Sequence, residues 1–139
     1  MKIAGKTTAN GGFLAVEIVL EPAETSPKLE GEIQEINQVS RKIRTFNREL
    51  TIENSIEIKD LHENIVDLSD VKVGSILKIK GKYVNGHGFV PKKIKIKQGR
   101  EFNIEETQGF LESIDLQKQS LDINGITVFV NKKTIYQAG

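Results

Sequence analysis

The stretch Leu77-Lys78-Ile79-Lys80 alternates apolar and charged residues, and Ile94-Lys95-Ile96-Lys97 repeats this alternation further along the chain. A period of two is typical of a β-strand that buries one face and exposes the other. The turn signal Asn85-Gly86-His87-Gly88 separates the two stretches, which are therefore expected to be antiparallel neighbours. A second hairpin is indicated at Asn124-Gly125, because Asn-Gly suits a type I′ turn. Long helical patterning is absent, so the sequence predicts an all-β fold.

Two segments depart from the strand pattern. Residues 60–68 are the best helical candidate, because Asp60 and Glu63 have the spacing of a capping box, and one or two helical turns are expected there. Residues 21–27 contain two of the three prolines and no apolar alternation. They are therefore predicted to form a linker.

The composition limits the class of protein. The 139 residues carry 20 basic and 19 acidic groups, and a net charge of +1 argues against a general polyanion binder. The absence of cysteine excludes disulfides, a thiolate zinc site and a cysteine nucleophile. No apolar run approaches the roughly 18 residues that a membrane span needs, so no span is expected. The first residues lack the apolar region of a secretory signal peptide, so none is predicted in this chain.

The sequence also repeats itself. Residues 3–20 match residues 79–96 without a gap at an offset of 76, with identities that include Gly5 with Gly81 and Phe13 with Phe89. Likewise, 30–37 match 108–115 at an offset of 78. The chain is therefore predicted to consist of the following parts: the tail of a repeat unit at 1–23, a complete unit at 27–99, and the head of a unit at 103–139. Because two or three strands are marginal alone, the tail and the head are expected to pair.

The complete unit carries three motifs in order. They are Gly31-x-Ile33-x-x-Ile36, then Asp67-Leu68 with Val71-Lys72-Val73-Gly74, and finally Gly88-Phe89-Val90-Pro91. This pattern resembles a bacterial repeat family of unknown function, the one numbered 5666. Ala15 holds the small position of the last motif in the tail, whereas Pro91 replaces it in the complete unit.

The resemblance implies small OB-like barrels and a bacterial envelope or secreted protein, and it offers no catalytic or ligand residues. A five-stranded OB-like barrel also fits the residue pattern, with a helical connector at 60–68. Its strands are predicted near 29–37, 42–47, 49–57, 73–84 and 88–97. The predicted fold is thus one complete β-barrel unit plus a composite unit made from the two chain ends. A repeat sandwich without barrel closure is the alternative.

Basic residues concentrate in one part of the chain. Residues 71–100 contain nine basic residues and no acidic residue. The alternation places lysines of two neighbouring strands on one outward face, where opposed like charges cost stability. The candidate binding residues are Lys78, Lys80, Lys82, Lys93, Lys95, Lys97 and Tyr83.

The repulsion among these lysines can be offset in two ways, by acidic residues of the same chain or by a bound anion. Glu30 and Glu32 alternate outward on the first strand and, with solvent, can balance the lysines within the chain. Alternatively, the lysines bind an external polyanion: an anionic glycan, an acidic protein surface or nucleic acid. Nucleic acid is the least favoured, because only Tyr83 and Phe46 are near enough to stack on bases.

Catalytic signals are absent from the sequence. His62 and His87 fall in predicted loops without a supporting carboxylate motif, which favours neither a metal site nor a general base. No cofactor is predicted, and the chain is not expected to be an enzyme. The leading hypothesis is a non-catalytic β-barrel repeat module with a structural or protein-interaction role, including self-association through the repeat ends. The alternative is an OB-type module that binds an anion, glycan or single-stranded nucleic acid through the basic face of residues 71–100.

Overall fold

The protein is all-β, as the sequence predicts. The computed structural model describes residues 1–9, 12–20, 27–84, 86–97 and 104–138, and within them it contains fifteen strands and one 3₁₀ turn at Leu68–Asp70. The strands are β1 (Lys2–Thr7), β2 (Phe13–Leu20), β3 (Lys28–Glu32), β4 (Glu35–Asn37), β5 (Lys42–Thr45), β6 (Arg48–Thr51), β7 (Glu57–Lys59), β8 (Ile65–Val66), β9 (Ile76–Val84), β10 (Gly88–Lys97), β11 (Glu105–Gln108), β12 (Leu111–Asp115), β13 (Ser120–Ile123), β14 (Ile126–Phe129) and β15 (Ile135–Ala138). Residues 21–26 of the predicted linker lie outside the described residues.

The strands form two sheets that do not close into a barrel. The larger sheet has the order β12-β13-β14-β2-β1-β11-β3-β9-β10-β7-β8, with β15 also paired to β2, and the smaller has the order β4-β5-β6. The predicted barrel closure is therefore wrong for the described residues, since β6 and β10 form no ladder. Proline has no backbone N–H, so Pro91 leaves β10 one donor short for such a ladder.

The hairpins β1–β2 and β9–β10 share one pairing register. All six residue pairs of β1–β2 recur in β9–β10 at the offset of 76, as when Gly5 faces Ala15 and Gly81 faces Pro91. Both hairpins also have a bulge directly beside this pair. A Cβ atom on Gly5 would lie 2.2 Å from the Leu14 carbonyl oxygen, and one on Gly81 would lie 2.3 Å from that of Val90. The close approach of the two strands thus requires glycine at both positions.

The other strands correspond at the offset of 78. The strand bounds of β5 and β6 map onto those of β13 and β14, and every pair of the β5–β6 ladder recurs in β13–β14. The β4–β5 ladder recurs in β12–β13. Beside the hairpins, β7 runs parallel to β10 as β15 runs parallel to β2. The turns agree as well, because Phe46 and Asn47 have positive φ, as do Asn124 and Gly125.

The two sets of strands meet at β3 and β11. These strands pair antiparallel, with Leu29 opposite Thr107. Thr107 is also the residue that corresponds to Leu29 at the offset of 78. The Glu105 carboxylate, which is buried, connects three strands at this junction. It accepts hydrogen bonds from the Thr7 hydroxyl, from the Thr7 amide at 3.3 Å and from the Glu32 amide at 3.0 Å. One core of buried residues extends through both sets of strands.

The predicted helix at 60–68 is wrong. The Asp60 carboxylate accepts the His62 amide at 2.8 Å and the Asn64 amide at 2.9 Å, which fixes a turn, and Glu63 has a φ of 66°. A left-handed residue cannot continue a right-handed helix. The chain then adds β8 beside β7 and makes the 3₁₀ turn. The predicted strand at 73–84 begins only at Ile76.

Candidate anion-binding groove

Strand pairing places four of the predicted lysines directly opposite one another. In the β9–β10 ladder, Lys80 faces Lys93 and Lys78 faces Lys95. Opposed residues of an antiparallel pair have Cβ atoms about 4.5–5.5 Å apart, so their ammonium groups repel. The bulge between Pro91 and Lys93 keeps Lys93 and Lys95 in step with β9. The four lysines therefore form two adjacent rows on one face of the sheet.

The neighbouring strand β3 extends both rows. Lys28 lies opposite Lys80, and Glu30 lies opposite Lys78. The pKa of Lys28 is lowered, first by burial and next by the charge of Lys78, while Glu106 acts in the opposite direction. The row of Lys28, Lys80 and Lys93 thus carries three cations side by side. Glu30 lies in the row of Lys78 and Lys95, where it can balance their charge within the chain.

The rows border an open groove of about 440 Å³. Its charged lining consists of seven lysines and two glutamates: Lys59, Lys78, Lys80, Lys92, Lys93, Lys95, Lys97, Glu57 and Glu63. Ser55 and Ile94 complete it. Lys59 and Lys92 were missed from the sequence. The period of two in Glu57-Ile58-Lys59 indicates a strand with Lys59 on its exposed face. Lys92 lies in the bulge of β10, which breaks the period of two.

The two glutamates neutralise one side of the groove. Lys59 lies 3.4 Å from Glu57 and 3.8 Å from Glu63, and Lys95 forms an ion pair with Glu63. The hydrogen bond from Lys95, with its charge, holds the pKa of Glu63 below its ordinary value. Among the residues that the structure describes, no ion pair reaches Lys80 or Lys93. The same holds for Lys78, Lys92 and Lys97, so the excess positive charge extends over the groove lysines other than Lys59 and Lys95.

Lys82, Tyr83 and Phe46 lie outside the lining of the groove. Lys82 is exposed on β9 but does not line the groove. Tyr83 lies beside Phe110 in a separate cavity of about 270 Å³, because successive strand residues point to opposite faces. A hydrogen bond to Glu112, with its charge, raises the pKa of Tyr83. Phe46 is buried, with its ring centroid 5.1 Å from that of Phe13. The predicted stacking aromatics are thus not part of the groove.

The corresponding face of the other hairpin is not basic. The counterparts of Lys78, Lys80, Lys93 and Lys95 are Lys2, Ala4, Glu17 and Val19. Both hairpins have the same pairs and the same bulge, so this strand geometry forms with or without the four lysines. The lysines are not a requirement of strand pairing.

Replacement of Lys80 and Lys93 tests whether acidic neighbours stabilise these two lysines. In the variant with Lys80→Gln and Lys93→Gln, the free energy of unfolding is expected to stay the same or rise by about 0.5 kcal/mol, because an opposed like-charge pair is lost. Urea unfolding measures it, with Lys82→Gln as a control outside the groove. A loss of more than about 1.5 kcal/mol would show that acidic neighbours such as Glu30 hold these lysines.

The described residues contain neither a metal-binding cluster nor a membrane-spanning helix. No group of three or more His, Asp or Glu side chains there is arranged to hold a metal ion. No helix in that part of the chain is long and apolar enough to cross a membrane. His62 is exposed in the turn fixed by Asp60, and His87 lines a second groove between β6 and β10.

No family model, no curated protein and no solved structure matches this chain. The resemblance to the family numbered 5666 therefore gains no support from these comparisons.

Proposed function

We propose that the chain is a non-catalytic module of two OB-like repeat units that binds an anionic polysaccharide through the basic groove. One unit is continuous at 27–99, and the other combines 1–23 with 103–139. The shared register of β1–β2 with β9–β10, and of β5–β6 with β13–β14, supports the repeat. OB-like units are five-stranded and partly open, which is compatible with the absence of a β6–β10 ladder.

One observation carries the proposal of an anionic ligand. The unit at 27–99 has lysines at four positions where its counterpart has one lysine, an alanine, a glutamate and a valine. Retaining opposed lysines costs stability, and the register does not need them. A multivalent anion that lies across the two rows would offset this repulsion by several contacts at once.

The lining favours a polysaccharide over nucleic acid. Proteins that bind single strands combine a basic groove with aromatic side chains on which bases stack. The lining consists of lysine, glutamate, serine and isoleucine in the part of the chain that the structure describes. Ammonium groups and a hydroxyl suit the carboxylates, sulfates and hydroxyls of an acidic sugar chain.

Binding of a sulfated polysaccharide tests the proposal. Dextran sulfate is titrated into the protein at about 50 mM salt and again at 200 mM, with a single-stranded oligonucleotide as a second probe. The variant with Lys78, Lys80, Lys93 and Lys95 all changed to Gln is expected to bind at least about tenfold more weakly, with a reduced salt dependence.

The matched control changes Lys6, Lys82, Lys118 and Lys132 to Gln, which removes the same charge outside the groove. It is expected to keep most of the affinity. Equal losses in the two variants, or no binding at about 50 mM salt, would overturn the proposal. Tighter binding of the oligonucleotide than of dextran sulfate would make nucleic acid the ligand.

The hypothesis of an interaction module has separate support. Exposed apolar residues of β12 and β15 lie outside the lining of the basic groove: Leu111, Ile114, Ile135 and Tyr136.

A further inference from the structure

The groove between β6 and β10 adjoins the basic groove. It has a volume of about 480 Å³ and is lined by residues of both strands and of the turn that follows β6. Ser55 and Lys92 line this groove and the basic groove alike, so the two are continuous at these residues. We call it the seam groove. A ligand that lies along the lysine rows therefore has a path onward past Lys92.

The seam groove lies where two strand edges that pair in one unit do not pair in the other. In the composite unit β14 pairs with β2, with Val128 opposite Phe13 and Phe129 opposite Leu14. By the offsets of 78 and 76, the corresponding residues of the continuous unit are Leu50, Phe89, Thr51 and Val90. All four line the seam groove, and β6 forms no ladder with β10. The opening is thus specific to the unit that carries the basic groove.

Lys92 lies at the junction of the two grooves. The bulge of β10 leaves it without a residue opposite it on β9, because Pro91 and Lys93 occupy consecutive positions of the ladder. Bulges of this kind re-aim a side chain. Lys92 is exposed, and no ion pair reaches it within the described part of the chain, whereas its counterpart in the other unit is Val16. Its ammonium group is therefore available to a ligand that passes from one groove to the other.

The two grooves differ in charge. Seven lysines and two glutamates line the basic groove. In the described lining of the seam groove, Arg48 and Lys92 are balanced by Glu49 and Glu53, and His87 is also present. Glu53 forms no ion pair with a described residue. A sulfate or carboxylate placed in the seam groove would thus meet like charge, which the lysine rows do not present.

The polar groups of the seam groove suit uncharged sugar residues. A sugar hydroxyl both donates and accepts hydrogen bonds, whereas a carboxylate only accepts them and a guanidinium or ammonium only donates them. Glu53 supplies an acceptor, and Arg48 and Lys92 supply donors. The half-buried side chains of Ile56 and Val90 add apolar surface for the C–H groups of a sugar ring.

We propose that the seam groove is a subsite for the uncharged residues of the polysaccharide whose acidic residues bind the lysine rows. This inference rests on the proposed function and specifies its ligand. The ligand is a sparsely charged acidic polysaccharide, in which neutral residues flank the anionic ones, and not a polymer with an anionic group on every residue. Its chain passes from one groove to the other at Ser55 and Lys92.

Amide resonances followed by NMR separate this inference from the proposed function. Sparsely and densely sulfated dextrans of equal chain length are titrated into the intact chain. With the sparsely sulfated polymer, saturable shifts are expected at Lys80 and Lys93 and also at Thr51 and His87. Shifts confined to Lys80 and Lys93 would overturn the subsite and leave the basic groove as the binding site. No shifts at either set with either polymer would overturn the proposed function, and the subsite with it.

Removal of the Glu53 carboxylate is expected to affect the two polymers in opposite directions. The control is Glu35→Ala, which removes an exposed carboxylate outside both grooves. Relative to this control, Glu53→Ala is expected to weaken binding of the sparsely sulfated dextran about threefold, because a hydrogen-bond acceptor is lost. The densely sulfated dextran is expected to bind equally well or more tightly, because a like charge is lost. Unchanged or tighter binding of the sparsely sulfated dextran would overturn the proposal.

Discussion

Replacement of Gly81 by alanine is expected to destabilise the protein by about 2–4 kcal/mol, a cost in the range of severe overpacking. The new Cβ would lie 2.3 Å from the Val90 carbonyl oxygen and 2.8 Å from the Phe89 ring. Neither neighbour can yield cheaply, because the first is backbone of the paired strand and the second is a buried ring. Urea unfolding followed by circular dichroism measures the change.

The counterpart substitution provides a second measurement of the same contact. Gly5→Ala would place a Cβ 2.2 Å from the Leu14 carbonyl oxygen, so a comparable loss is expected. The control is Gly12→Ala, whose nearest neighbour is the Thr8 side-chain oxygen at 3.1 Å, and it is expected to cost less. If Gly81→Ala costs no more than this control, β9 and β10 do not approach as closely as described.

Removal of the Glu105 carboxylate is expected to cost about 2–4 kcal/mol. The Glu105→Ala variant leaves the Thr7 hydroxyl and amide and the Glu32 amide without their acceptor, and these groups are partly buried. Each buried donor left unsatisfied costs about 1–3 kcal/mol. Glu105 lies where β11 pairs with β1 and, across the junction of the two sets of strands, with β3, so hydrogen exchange of the Ile3 and Leu29 amides is expected to accelerate.

A surface glutamate provides the comparison for this substitution. Glu49 lies 3.3 Å from Lys42 in an exposed ion pair, and Glu49→Ala is expected to cost less than about 0.5 kcal/mol. Glu105→Gln keeps one acceptor and is expected to fall between the two. Equal stability of the Glu105→Ala and Glu49→Ala variants would contradict a structural role for Glu105.

The strands were predictable because their signals are local. Alternation in Leu77–Lys80 and Ile94–Lys97 indicates strands with one buried face, and the turn between them fixes which residues are opposed. The offset of 76 reappears in the β1–β2 and β9–β10 ladders, where Gly5 and Gly81 are each required by a close approach of two strands. The offset of 78 reappears in the β5–β6 and β13–β14 ladders.

The errors arose where one residue overrides a local pattern. The spacing of Asp60 and Glu63 suits a capping box, but the Asp60 carboxylate binds amides of the following residues and fixes a turn. Closure of the barrel depends on backbone donors along a strand edge, which Pro91 reduces. Tyr83 directly follows Lys82, so strand alternation places it on the face opposite Lys82, and its predicted role in the basic site is wrong.

The long-range ladders of β2 determine when the chain can finish folding during synthesis. β2 pairs with β14 and β15, and the Thr134 hydroxyl donates to the Ala15 carbonyl across 119 residues. A ribosome adds about 5–20 residues per second, so the first hairpin waits roughly 6–24 s for these partners. Residues 27–97 emerge before then and can fold first. During that interval the edge of β2 that pairs with β14 and β15 has no partner, and such an unpaired edge is a template for aggregation.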